Sequence, residues 1–144
     1  MTFHFEIITP EKITFKEEVD EATIPTSTGQ ITVLPNHVSL VSQVIPGELI
    51  IKKSGRTEYL GVTGGFLEVN NNRVTLLADY AVHSEDINVQ KAMEAQKRAE
   101  QLMKDAKEKS NDRDFARAET EFLRAIMELK IAEKRKHKQR PITS

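Results

Sequence analysis

The sequence predicts a two-part chain: an N-terminal antiparallel β-sandwich or barrel built of many short strands, then a C-terminal antiparallel helical hairpin. Three observations predict it. Apolar residues alternate with period two as far as residue 83, they recur at helical spacing from Ala92 onward, and the charge balance changes sign between the two stretches. Residues 1–83 carry 6 Lys and Arg against 10 Asp and Glu, a net −4, whereas residues 84–144 carry 15 against 12, a net +3. The boundary therefore falls near 84, giving a sandwich domain over 1–84 and a helical domain with a basic tail over 85–144.

The strands read as follows. Phe3, Phe5 and Ile7 alternate with His4 and Glu6; Leu60 and Val62 alternate with Tyr59 and Gly61. Leu67 and Val69 flank Glu68, and Val74, Leu76 and Ala78 alternate with Arg73 and Thr75. Such alternation marks half-buried strands. Gly29, Pro46-Gly47, Ser54-Gly55, Gly64-Gly65 and Asn70-Asn71-Asn72 punctuate them, residue types that suit tight hairpins.

Beyond Asn88, the series Ala92, Ala95, Ala99, Leu102, Ala106 places one stripe on one helix face. Lys107–Asn111 interrupts it, and Phe115, Ala118, Phe122, Ala125, Leu129, Ala132 form a second stripe. No Pro or Gly falls between Ala92 and Arg140. Glu94–Arg98, Glu100–Lys104 and Asp105–Lys109 stand as i,i+4 pairs in the favourable order, and Asn111 or Asp112 is placed to cap the second helix. Two long helices with a short polar link pack antiparallel. A seam rich in alanine buries little area per residue, on the order of 1 kcal/mol for each methyl, so the hairpin is expected to be marginal and loosely docked.

Composition excludes several functions. The 144 residues contain no cysteine, which removes disulfides, thiolate metal sites and cysteine nucleophiles. No apolar run approaches the ~20 residues that cross a bilayer, and the first ten residues do not read as a secretory signal. His4, His37, His83 and His137 are scattered without a second ligand at metal-binding spacing, so no metal site is expected. Gly61-x-x-Gly64-Gly65 lacks the Lys-Ser/Thr of a phosphate loop and reads as a hairpin turn. No catalytic triad or carboxylate pair can be singled out. The acidic cluster Glu17, Glu18, Asp20 and Glu21 reads foremost as a solvated strand end. The run Lys134–Arg140 admits three readings: nucleic-acid phosphate binding, docking on an acidic protein surface, or a solvated helix C-terminus favoured by the dipole. The absence of an aromatic residue after Phe122 counts against the first.

Four ordered segments then carry a resemblance. They are Leu34-Pro35-Asn36-His37-Val38-Ser39-Leu40, Ile45-Pro46-Gly47-Glu48-Leu49, Val62-Thr63-Gly64-Gly65-Phe66-Leu67-Glu68-Val69 and Val74-Thr75-Leu76-Leu77-Ala78-Asp79. In order and spacing they resemble the epsilon subunit of bacterial and plastid F-type ATP synthases, and the similarity continues through Asp114-Phe115-Ala116-Arg117-Ala118 to about Lys134.

The resemblance implies a ten-stranded antiparallel sandwich with a C-terminal helical hairpin, and a non-catalytic rotor subunit. Its implied partners are the gamma subunit, the ring of c subunits and the alpha and beta subunits of the catalytic head, with no nucleic acid and only indirect contact with the membrane. The implied location is the cytoplasmic face of the bacterial plasma membrane, peripheral. By position, His37, Val38, Ser39 and Leu40 would contact gamma, and Thr28, Gly29 and Gln30 the c-ring. Arg124, Lys130, Lys134, Arg135 and Lys136 would meet the beta subunit when the hairpin extends and obstructs hydrolysis. No cofactor is implied, but some members sense ATP through Ile-Asp-x-x-Arg-Ala. Here Asn88 and Lys91 replace its Asp and Arg, Glu128 stands where a contacting Arg occurs, and Arg98 and Arg124 keep matching positions. Losing the guanidinium fork weakens a phosphate grip, so ATP binding is expected to be weak or absent. The competing expectation is an unrelated sandwich-plus-hairpin adaptor for protein or nucleic acid.

Overall fold

A computed structural model describes the backbone of residues 1–139 and the side chains of residues 1–135. Strand alternation builds its first unit. In β1 (Phe3–Ile8) Phe3, Phe5 and Ile7 turn inward and are buried. They are followed by β2 (Ile13–Val19), β3 (Glu21–Thr26), β4 (Gly29–Val33), β5 (Leu40–Val44), β6 (Gly47–Lys53), β7 (Arg56–Val62), β8 (Gly65–Asn70), β9 (Arg73–Ala78) and β10 (Ala81–His83). Leu49 and Ile51, Leu60 and Val62, Leu67 and Val69, and Val74 and Leu76 all join one buried cluster. The Phe5 and Phe15 rings meet edge-on at 5.8 Å within it.

The ten strands form one hydrogen-bonded sheet in the order β10-β7-β6-β3-β5-β8-β9-β1-β2, with β4 attached to β3. β3 is the joint: Glu21–Thr23 pair with β6, while Thr26 pairs with Val44 of β5. All pairs are antiparallel except β1 with β9, which runs parallel and departs from the expected pattern.

Two turn expectations are corrected. Ser54-Gly55 and Asn71-Asn72 are two-residue hairpin loops with positive φ at both positions, the type that matches strand twist. Pro46-Gly47 and Gly64-Gly65 are not hairpins, because β5 does not pair with β6, nor β7 with β8. At these points the chain crosses from one part of the sheet to another.

After a 3-10 turn (Ser84–Asp86), α1 (Val89–Glu108) and α2 (Asp112–Gln139) form the second unit, which begins at Asp86. The Asn88 carboxamide oxygen caps α1 by accepting from the Lys91 N–H at 3.0 Å. Asn111 caps α2 through Asp114 N–H at 3.1 Å, and its own amide returns to the Asp114 carboxylate at 2.8 Å. Ala92, Ala99 and Ala106 of α1 and Ala118 and Ala125 of α2 are buried. Leu102 is half-exposed in the wall of a cleft that it shares with Ala106 and Ala118, and Met127 and Ile131 are buried on a side of α2 that the predicted stripe does not include. Among the described residues, Glu94, Glu100 and Asp105 accept from Gln90, Gln96 and Gln101 one turn earlier, rather than from the expected cations one turn later.

Candidate protein-docking surfaces

The acidic cluster is consumed structurally. Glu17 meets Lys53 at 2.7 Å, Glu18 meets His4 at 3.2 Å, and Glu21 meets Lys52 at 3.2 Å. Asp20 accepts from the Ser54 N–H at 2.9 Å. Each carboxylate ties the β2–β3 corner to a neighbouring strand or turn, so none is left for chemistry. Among the described residues no group of three His, Asp or Glu is placed to hold a metal.

The outer face of β5, β8, β9, β1 and β2 is different. Strand register aligns Phe66 with Leu77, Leu77 with Ile8, and Ile8 with Ile13. This cross-strand row is apolar and open to solvent: Phe66 is 59%, Leu77 52% and Ile13 53% exposed. Val41 on β5 is 74% exposed, and Val38 in the loop before it 77%. Isolated apolar residues on a surface are ordinary, but aligned exposed ones mark a protein-binding face. At one end the row runs into a groove of about 600 Å³ lined by Pro10, Ile45, Pro46, Gly64, Gly65 and Asp79, with Phe66 and Leu77 in its wall.

The sequence-predicted contact residues lie beside this face. His37, Val38 and Ser39 occupy the β4–β5 loop and Leu40 opens β5. Thr28, Gly29 and Gln30 form the tip of the β3–β4 hairpin and are all exposed. The tip is firmly built. Buried Thr26 donates its hydroxyl to the Gly29 carbonyl, and Ser27 N–H binds the Gln43 carbonyl at 3.0 Å. From Ala22 to Gly47 the chain contains no Asp, Glu, Lys or Arg, a signal that the sequence reading passed over and that covers both loops. Such depletion of charge is typical of the buried centre of a protein interface.

In the helical unit, Lys91, Arg98 and Arg124 come together around a cleft of about 290 Å³. Glu121 and Glu128 share its walls, two carboxylates against three cations. Asn88 does not line this cleft; its side chain is spent on the helix cap. The basic residues of α2 do not form one surface. At 100° per residue, Arg124 and Arg135 fall on one side and are half-buried, while Lys130 and Lys134 fall on another and are exposed. The Lys136 side chain and the tail from Arg140 lie outside the described residues.

A sandwich with an exposed apolar row on its outer face, joined to a helical pair, fits a protein-binding chain. Residues 2–84 match the ATP synthase delta/epsilon chain β-sandwich domain, and residues 85–133 match the long α-helix domain of the same chain. The chain belongs to the ATP synthase delta/epsilon chain family. It is 39% identical over 130 residues to the ATP synthase epsilon chain of Nitratidesulfovibrio vulgaris, covering 90% of this chain and 95% of that one. It is 38% identical over 139 residues to that of Herpetosiphon aurantiacus, covering 96% and 100%. A chain of the cryo-EM structure of the Euglena gracilis mitochondrial ATP synthase shares the fold, with a TM-score of 0.68, 23% identity and coverage of 94% of this chain and 82% of that one. Family membership displaces the unrelated-adaptor alternative. No helix among the described residues is long and apolar enough to cross a membrane.

Proposed function

We propose that this chain is a rotor subunit that fastens gamma to the c-ring, so that ion flow through the ring is transmitted to ATP synthesis. The observation that carries this reading is the exposed row Phe66–Leu77–Ile8–Ile13. Val41 is exposed on the same sheet and Val38 in the loop before it, so gamma is assigned to this face and to the His37–Leu40 segment. The c-ring is assigned to the neutral tip Thr28–Gln30. The complex, and this chain with it, sits peripherally on the cytoplasmic face of the bacterial membrane. Phe66→Asp with Leu77→Asp tests the assignment. Both side chains are exposed, so folding should survive, while desolvating two carboxylates should lower gamma affinity by at least about a hundredfold. Unchanged co-purification with gamma would overturn it.

The helical unit is assigned to regulation, acting against the alpha and beta subunits to restrain hydrolysis. The alanine seam supports this reading, since it holds two long helices with little buried area. ATP is not assigned as a strong effector, because Glu121 and Glu128 offset the cations that would receive its phosphates.

A further inference from the structure

The β4–β5 loop, Leu34–Ser39, has no ladder of its own, yet the β8–β9 hairpin holds it at two points. The Asn36 N–H donates to Asn72 Oδ1 at 2.8 Å, and the Ser39 hydroxyl donates to Asn70 Oδ1 at 3.2 Å. The loop is closed internally by His37 N–H on the Leu34 carbonyl at 3.2 Å. Asn72 also reaches in the opposite direction: its Nδ2 donates to the Thr2 carbonyl at 2.9 Å, and its own carbonyl accepts from His4 N–H at 3.2 Å. One residue thus joins the start of β1, the β8–β9 turn and the β4–β5 loop.

We propose that Asn72 is the positioning residue of the gamma-facing loop, fixing through its carboxamide how Val38 is presented; this rests on the gamma assignment above. The position makes three demands. The backbone must hold φ 60°, an acceptor must face the Asn36 N–H, and a donor must face the Thr2 carbonyl. Glycine meets only the first and aspartate only the first two, whereas asparagine meets all three. A six-residue loop otherwise free to move would lose conformational entropy on docking. Holding it in place beforehand removes part of that cost.

Two variants of the full-length chain separate the bonds. Asn72→Gly keeps the turn and removes both side-chain bonds. Amide exchange at Asn36 and His37 should rise about tenfold, the scale of one lost hydrogen bond, with β8 and β9 amides unchanged. Affinity for purified gamma should fall about three- to tenfold. Asn72→Asp keeps the acceptor and loses only the donor to the Thr2 carbonyl, so Asn36 should remain as protected as in the parent. Val38→Asp, which strikes the contact itself, should weaken gamma binding in the same assay. If Val38→Asp binds as well as the parent, the contact assignment fails and the proposal with it. If Val38→Asp weakens binding but Asn72→Gly changes neither loop exchange nor affinity, only the positioning role is overturned. Exchange rising throughout the core in Asn72→Gly would also overturn it, since the residue would then act on folding rather than on the loop.

Discussion

A Cβ added to Gly65 would lie 1.8 Å from the Leu77 carbonyl oxygen, closer than any non-bonded contact tolerates. The glycine is there because β8 starts against β9, opposite Ala78, as the chain leaves β7. Gly55 meets nothing within 4 Å and is required only by its φ of 79°. Gly65→Ala should therefore cost at least about 3 kcal/mol, beyond ordinary overpacking. Gly55→Ala should cost only the left-handed penalty of about 1 kcal/mol. Thermal unfolding of the two variants compares them directly, and equal losses would mean that β9 yields. Both glycines were legible as turn residues, but the difference between them was not. A residue type reports the φ a position needs, and carries no record of which distant strand lies against it. Asn36 is the readable case: its φ of 63° is a left-handed conformation that asparagine tolerates better than most residues.

Helix boundaries and periods were readable because they are local. Asn88 and Asn111 cap as their chemistry dictates, and the alanine stripe faces the partner helix. Met127 and Ile131, buried off that stripe, were missed because spacing defines one stripe without deciding which other residues become covered. The end of α1 offers a test. Asn111 N–H binds the Ala106 carbonyl at 2.8 Å and Ser110 N–H the Lys107 carbonyl at 3.2 Å, a Schellman pair with Ser110 held at φ 53°. Glycine adopts that conformation without penalty, so Ser110→Gly should stabilise the hairpin by about 1 kcal/mol. Helicity loss followed by circular dichroism should shift to higher urea. The cleft between the helices gives a second test. Asn88→Asp retains the cap, and together with Lys91→Arg and Glu128→Arg it should convert weak ATP binding to binding measurable by calorimetry. Micromolar binding by the unmodified chain would contradict the weak-site reading.

At the scale of the whole molecule, the sandwich and the hairpin were legible from the change in period near residue 84. The strand order and the parallel β1–β9 pair were not, since pairing between distant strands leaves no local pattern. The division into two units fixes where the regulatory reading can be tested. A cut at Ala81 would remove most of β10 and open the edge of β7, so truncation belongs after Glu85. The sandwich keeps its core and both assigned docking loops in such a chain, and assembly should be intact. If the helices restrain rotation in the hydrolysis direction, their loss should raise hydrolysis more than synthesis. Electrostatics then predicts an intermediate case. Lys130 and Lys134 are exposed on one side of α2, and each exposed pair contributes at most about 1 kcal/mol. Single neutralisations should change little, but Lys130→Gln with Lys134→Gln can bias two hairpin states separated by a few kcal/mol. Hydrolysis by the reconstituted complex should therefore rank truncated above doubly neutralised above full length. The gap between the last two should narrow at high salt, where a Debye length of about 3 Å at 1 M screens exposed charges. Equal rates in all three complexes would show that the helices are not a brake here, leaving the sandwich's coupling role to stand alone.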